Sequence, residues 1–357
     1  MNSVQDYLSD RQQLLAKNRM GMLLNPADVS STNPWFMVFI PNLNALVEDL
    51  SAGSMRFCIS ADSKVQACAI HDDQAIVLSA GMFDLLCKLA SSIVSRGIYP
   101  ALGTTRKADW SPDINNNLRS VRDILTASSF NEVLNPSWFN DSERLELFFQ
   151  LLWSMVRFVV LHEVGHLWHQ HGQRHKEGHR FEIDNLGSKS LQEPKQALES
   201  QARELLADQF AFRSLLRIQH EEILHPPTRK SENTVRSALL SSPSEEISFG
   251  LLTTYFYFYA VDQYNWDIEN THLYSHPPAP FRLKALLCDL FEFGTLGLSP
   301  SECQSVIIRA NVIADAVIST TFQRFPDLNW MALMNDKRLL KHFTHLCDEI
   351  PNWRRVL

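Results

Sequence analysis

The chain has no Cys-x-x-Cys pair, no internal repeat, no low-complexity tract and no cluster of Lys and Arg. Its six cysteines, Cys58, Cys68, Cys87, Cys288, Cys303 and Cys347, are scattered in apolar contexts. They read as reduced core thiols of a cytoplasmic protein rather than as a disulfide framework. Lys and Arg number 33 against 40 Asp and Glu, a net charge of -7. A phosphate-binding surface needs clustered cations, so their absence from the sequence argues against nucleic acid as the main partner, while leaving room for a local basic patch. The polar, acidic start, Met1 to Asp6, lacks the charged n-region and apolar run of a secretory signal. No apolar stretch is expected to reach the roughly 20 residues that span a bilayer. Leu145–Leu161 is broken by Glu146, Gln150 and Arg157, and Leu251–Val261 is too short, so both are expected as buried helices.

What is present is ordinary for a soluble globular protein: 357 residues, 45% hydrophobic and 20% charged, enough for one or two domains. The pattern predicts an α+β chain that is mostly helical. An amphipathic helix is expected over 2–20 and a short one over Pro41–Leu50. Met55–Ser60, Val65–Ile70 and Ala75–Ser79 are short and apolar-rich, with the Asp72-Asp73 pair between the last two, and predict a small antiparallel sheet. Helical periodicity returns over Met82–Val94. Residues 97–117 should form a long loop. Asp141 offers an N-cap for a long helix running to about His171. Residues 172–195 read as a loop, Gln196–His220 as a second strong helix and 226–246 as a polar connection. Phe249–Tyr264, Pro280–Phe293 and Ser301–Phe322 read as helices, with at least one more at the C-terminus. The expected division is an N-terminal helical segment over 1–54, a main domain over 55–295 and a C-terminal helical extension over 296–357.

The chemistry centres on His162-Glu163-Val164-Gly165-His166. On a helix, His162 and His166 project from one face about one turn apart, the spacing at which two imidazoles can hold one zinc ion. Glu163 beside them can reach a metal-bound water as general base. Val156, Phe158, Val159, Val160 and Leu161 would bury this helix, and Gly165 would let a neighbour pack close. The motif can arise by chance, so the third ligand matters. His169 stands where a metzincin needs glycine, and His169, His171, His175 and His179 read as an exposed polar helix end. Glu204 is the better candidate. It shares a helix face with Asp208, and apolar neighbours make the pair costly to bury without a cation. Asp208 would then accept the second ring N–H of a ligand histidine. A surface pairing of the two carboxylates with Arg203 or Arg213 is the alternative, and Glu199 is the fallback ligand.

Three segments in order resemble one family: His162–His166, Glu204-Leu205-Leu206-Ala207-Asp208, and Ser275-His276-Pro277-Pro278-Ala279-Pro280-Phe281-Arg282. They look like the gluzincin zinc peptidases of the HtpX heat-shock and CAAX-prenyl endopeptidase type. Gln66–Ile70 and Ala75–Met82 resemble the hairpin that precedes that family's active-site helix. The chain departs from the family's membrane-bound members in its expected lack of spanning helices, and from the pattern in an insertion over 97–140. The soluble Lit-type phage-exclusion peptidases have a comparable arrangement and cleave a translation factor when a phage component is present. The resemblance implies a zincin-like fold, with a small sheet before the active-site helix whose edge receives the substrate backbone. It also puts His276 and Arg282 near the active site. His276 would either hydrogen-bond a developing oxyanion or cap the helix after Pro278. Arg282 would pair with Asp208 or Glu204.

The function expected is therefore that of a soluble zinc-dependent endopeptidase. Zn2+ would sit on His162, His166 and Glu204, and Glu163 would be the base. A protein or peptide would be the substrate, and an activating partner is compatible with the Lit-type resemblance. The alternative is a zinc-stabilised sensor or binding module without turnover.

Overall fold

The computed structural model describes residues 4–24, 35–95, 120–126, 140–174, 181–183, 191–225, 234–261, 268–322 and 333–355. In order these form α1 (Val4–Lys17), α2 (Phe36–Ser51), β1 (Arg56–Ser60), β2 (Ala67–Ile70), β3 (Ala75–Ser79), α3 (Ala80–Ser95) and α4 (Val121–Thr126). There follow α5 (Ser142–Trp168), α6 (His171–Arg174), β4 (Phe181–Ile183), α7 (Pro194–Leu224), α8 (Thr234–Leu239) and α9 (Pro243–Val261). A 3-10 turn (Ile268–Leu273) leads to α10 (Ala279–Phe293), α11 (Pro300–Phe322) and α12 (Lys337–Trp353). The fold is α+β and mostly helical. The expected 97–117 loop, most of the 97–140 insertion, and Tyr264, His175 and His179 lie outside the described residues.

The small sheet is mixed rather than antiparallel. Its order is β1-β3-β2-β4. β2 and β3 form the expected antiparallel hairpin, but β3 inserts between β2 and β1 and runs parallel to β1. Turn spacing announces strands without fixing which of them are neighbours, so the order was not readable from it. β1, β2 and β3 are buried on both faces, and their side chains divide by the two-residue period of a strand. Phe57, Ile59, Ala67, Ala69, Ile76 and Leu78 enter the main core. Cys58, Cys68, Ile70, Ala75 and Val77 pack with Leu14 and Leu15 of α1. β1 is covered along its outer edge by the segment after α1, where Leu24 N donates to Ile59 O. β4 pairs antiparallel with β2 on the opposite edge, inside a stretch the sequence reads as loop.

α2 begins one turn earlier than its Pro41 suggested, with that proline inside the helix. The polar 226–246 stretch holds α8 and the start of α9. α5 is capped as expected, with the Asp141 carboxylate accepting from the backbone N–H groups of Glu143 and Arg144. Met155, Val156, Phe158, Val159, Val160 and Leu161 are at most 1% exposed. Each such side chain contributes about 1.5–3 kcal/mol on burial, far more than the ~1 kcal/mol that Gly165 costs a helix.

α5 and α11 are both long and apolar enough to cross a membrane by length and composition, which corrects the expectation that no stretch is. Isolated charges do not interrupt so long a window, and the polar residues of α11 are mostly uncharged. The core helix of a folded protein meets the same criterion, and the apolar window of α5 is 83% buried in this fold.

α5 lies along α7, and α12 also packs on α7. Gly165 is a point of close approach: a Cβ there would stand 3.1 Å from Ala207 Cα and 3.2 Å from Ala207 O. Backbone cannot move aside as a flexible side chain can. Gly165→Ala is therefore expected to destabilise by about 1–2 kcal/mol despite its better helix propensity, read as a lower urea midpoint. An unchanged or higher midpoint would show that the two helices can separate freely.

Candidate metal centre

The packing of α5 on α7 sets the two conspicuous segments face to face. His162, His166 and Glu204 are all buried, and one ligand atom from each lies within 4.8 Å of the others. The two Nε2 atoms are 3.0 Å apart. Glu204 Oε2 is 3.3 Å from His162 Nε2, and Glu204 Oε1 is 3.5 Å from His166 Nε2. Tetrahedral bonds of 2.0–2.1 Å separate ligand atoms by roughly 3.3 Å, so the spacings suit one small cation. This buried group could hold a metal ion.

The remaining ring nitrogens point to partners. His162 Nδ1 lies 2.9 Å from Asp208 Oδ1. Asp208 is fully buried and takes two further bonds from Arg282, Nε to Oδ2 at 2.8 Å and Nη2 to Oδ1 at 2.7 Å. Arg282 thus pairs with Asp208, and its guanidinium lies 4.6 Å over the Phe258 ring. The alternative partners are engaged elsewhere: Arg213 Nε bonds Asp289 Oδ2 at 2.7 Å, and Arg203 stacks on Trp353. Glu199, the fallback ligand, stands 3.9 Å from Lys195.

The histidines after the motif correct the sequence reading. His169 and His171 are buried, not an exposed helix end. Gln170 adopts a left-handed conformation, with φ 58°. That reversal ends α5 and folds His171 back, so that its Nδ1 lies 2.9 Å from Nδ1 of His166. His171 therefore backs His166 as Asp208 backs His162. No glycine marks the turn, so only the polar Gln170-His171 pair hinted at it. Gly172 then passes so close to His71 of the β2–β3 turn that a Cβ would meet the ring at 2.3 Å.

Glu163 is buried beside this group. After burial, its charge is the largest influence raising the Cys68 thiol of β2. His276 is partly exposed, with Nε2 3.8 Å from Glu204 Oε1 and Nδ1 3.0 Å from Ser275 Oγ. It does not cap α10, whose N-cap is Pro278 with no side-chain bond. In α9, Tyr255 bonds Asp315 and Tyr259 stacks on Phe322, so both are engaged away from the metal group.

The chain matches no family model, curated protein or solved structure.

Electrostatics give the site a pH signature. Burial works against a charged His162, but its bonds to Asp208 and Glu204 outweigh this and raise its pKa well above 6.5. Burial would also raise Glu204 and Asp208. Nearby His276 holds Glu204 well below the ordinary carboxylate range, and Arg282 does the same for Asp208. The raised His162 stabilises the metal-free fold below about pH 6.5 and ceases to as pH rises through its folded pKa. The depressed carboxylates stabilise above about pH 4.5 and cease to as pH falls. A metal needs the neutral imidazole. The gain in Tm on adding zinc to chelator-stripped protein should accordingly be larger at pH 8 than at pH 6. A gain that is equal at both, or larger at pH 6, would remove His162 from the ligand set.

Proposed function

We propose that the chain is a zinc-dependent endopeptidase of gluzincin type, with a zincin-like arrangement of sheet and active-site helix. The observation that carries the reading is the buried group of His162, His166 and Glu204, with Glu163 between the two histidines in sequence. Three nitrogen and oxygen ligands are the number found at catalytic zinc, where a fourth position stays open. Convergence of the three segments that resemble the HtpX, CAAX-prenyl and Lit-type peptidases on one buried site supports the family reading. Free cysteines, with no disulfide among the described residues, fit a reducing cytoplasm.

A bound zinc ion would lower the pKa of water to about 7 and polarise the scissile carbonyl. Glu163 accepts the proton of the attacking water and delivers it to the leaving amine. Asp208 accepts the Nδ1–H of His162, and His171 that of His166, which fixes both rings with Nε2 toward the metal position. The neutral His276 tautomer that accepts from the Ser275 hydroxyl at Nδ1 would carry its proton on Nε2, on the partly exposed side of the site. From there it donates to the oxygen on which negative charge develops. Because β1 is covered and β2 already paired, a substrate strand would extend the sheet at β4.

Proteome-wide mapping of N-termini in cells expressing the wild type or Glu163→Gln tests the proposal. New termini confined to the wild type would identify the substrate. Their absence from a metal-loaded wild type would leave a metal-stabilised binding module.

A further inference from the structure

The N-terminal half of α5 borders a cavity of about 490 Å³ between α2, α7 and α8, none of whose lining residues belongs to the metal group. This lies within the roughly 300–1,000 Å³ of small-molecule sites. One wall is aromatic: Phe39 meets Trp153 edge-on at 5.0 Å and stacks on Phe149 at 6.4 Å. The other end is ionic. Glu222 accepts from Arg157 Nη2 through Oε1, and from Arg236 Nη2 through Oε2 at 3.0 Å.

Two guanidinium groups thus share one carboxylate. Glu146 does not line the cavity; it accepts the backbone N–H of Arg236, and burial raises its carboxyl toward the neutral form. Arg157 is only 7% exposed and lies 4.3 Å over the Trp153 ring. Its Nε is buried without a hydrogen-bond partner. That atom is closed to the cavity, but two guanidinium groups lining it against one carboxylate leave an excess positive charge that a negative ligand would balance. An inorganic anion would leave the aromatic wall unused, and a neutral apolar molecule would leave the excess positive charge unmet.

We propose that this cavity binds a small organic anion. Its carboxylate, sulfonate or phosphate lies against Arg157 and Arg236, and its flat apolar body against Phe39, Phe149 and Trp153. The proposal is independent of the metal reading.

The test uses the full chain and two dyes of like shape, 1-anilinonaphthalene-8-sulfonate and its uncharged analogue N-phenyl-1-naphthylamine, followed by fluorescence. The sulfonate should bind at one saturable site. Arg157→Gln and Arg236→Gln should each weaken it by about ten-fold, the worth of one charge-assisted hydrogen bond. Affinity for the uncharged dye should not change. Arg236 is the more exposed of the two, so its variant keeps the test sound if Arg157→Gln melts early. Glu204→Gln should bind the sulfonate as the wild type does. The proposal fails if the sulfonate does not saturate, if Arg236→Gln binds it unchanged, or if both dyes weaken equally.

Discussion

Glu163→Gln is expected to keep its metal and lose peptide hydrolysis by about 10²–10⁴-fold, the usual contribution of a positioned general base. Glutamine has nearly the shape of glutamate, so the buried site should still close around it. It cannot take a proton from water. The ligand atoms of His162, His166 and Glu204 are untouched, so metal content and Tm should stay at wild-type values. That separation of metal retention from turnover is what distinguishes a base from a ligand. A variant that loses metal together with activity would make Glu163 a ligand. One that cleaves at the wild-type rate would remove it from the chemistry.

Arg282→Met should be the most destabilising change near the site, by about 3–5 kcal/mol. Methionine can keep an apolar contact with the Phe258 ring on which the guanidinium lies, so the loss comes from Asp208. That carboxylate is fully buried and depends on the two Arg282 bonds to remain charged. Left with His162 alone, it would shift toward the protonated form and hold the ring less firmly. Metal affinity should then fall by about 10–100-fold. Because the pair acts as a unit, Arg282→Met combined with Asp208→Asn should cost clearly less than the sum of the two changes. Urea unfolding of the metal-free forms measures the first effect, and zinc titration the second. A loss under 1 kcal/mol would mean that Asp208 finds other donors.

Much of this site was legible because its signals are periodic. Histidines four apart on an apolar helix, and carboxylates four apart on the next, define two faces that must meet something. Asp141, as the N-cap, fixed where α5 begins. Three features lay beyond that kind of reading. His171 joins the site through a left-handed Gln170, a conformation that nothing in the sequence requires there. β3 lies parallel to β1 because it inserts between β1 and β2, which is a matter of neighbour order rather than of alternation. β4 comes from a stretch whose polarity matches any surface loop, and only the open edge of β2 makes it a strand. The cavity beside Arg157 is tertiary in the same sense, since four helices contribute its walls.

Metal analysis of the purified chain, alongside His162→Ala and Glu204→Gln, tests the central claim most directly. One zinc per wild-type chain, and a marked loss of zinc in both variants, is the predicted result. A wild type without stoichiometric zinc after reconstitution, or variants that hold it as firmly as the wild type, would contradict the assignment of His162, His166 and Glu204 as its ligands.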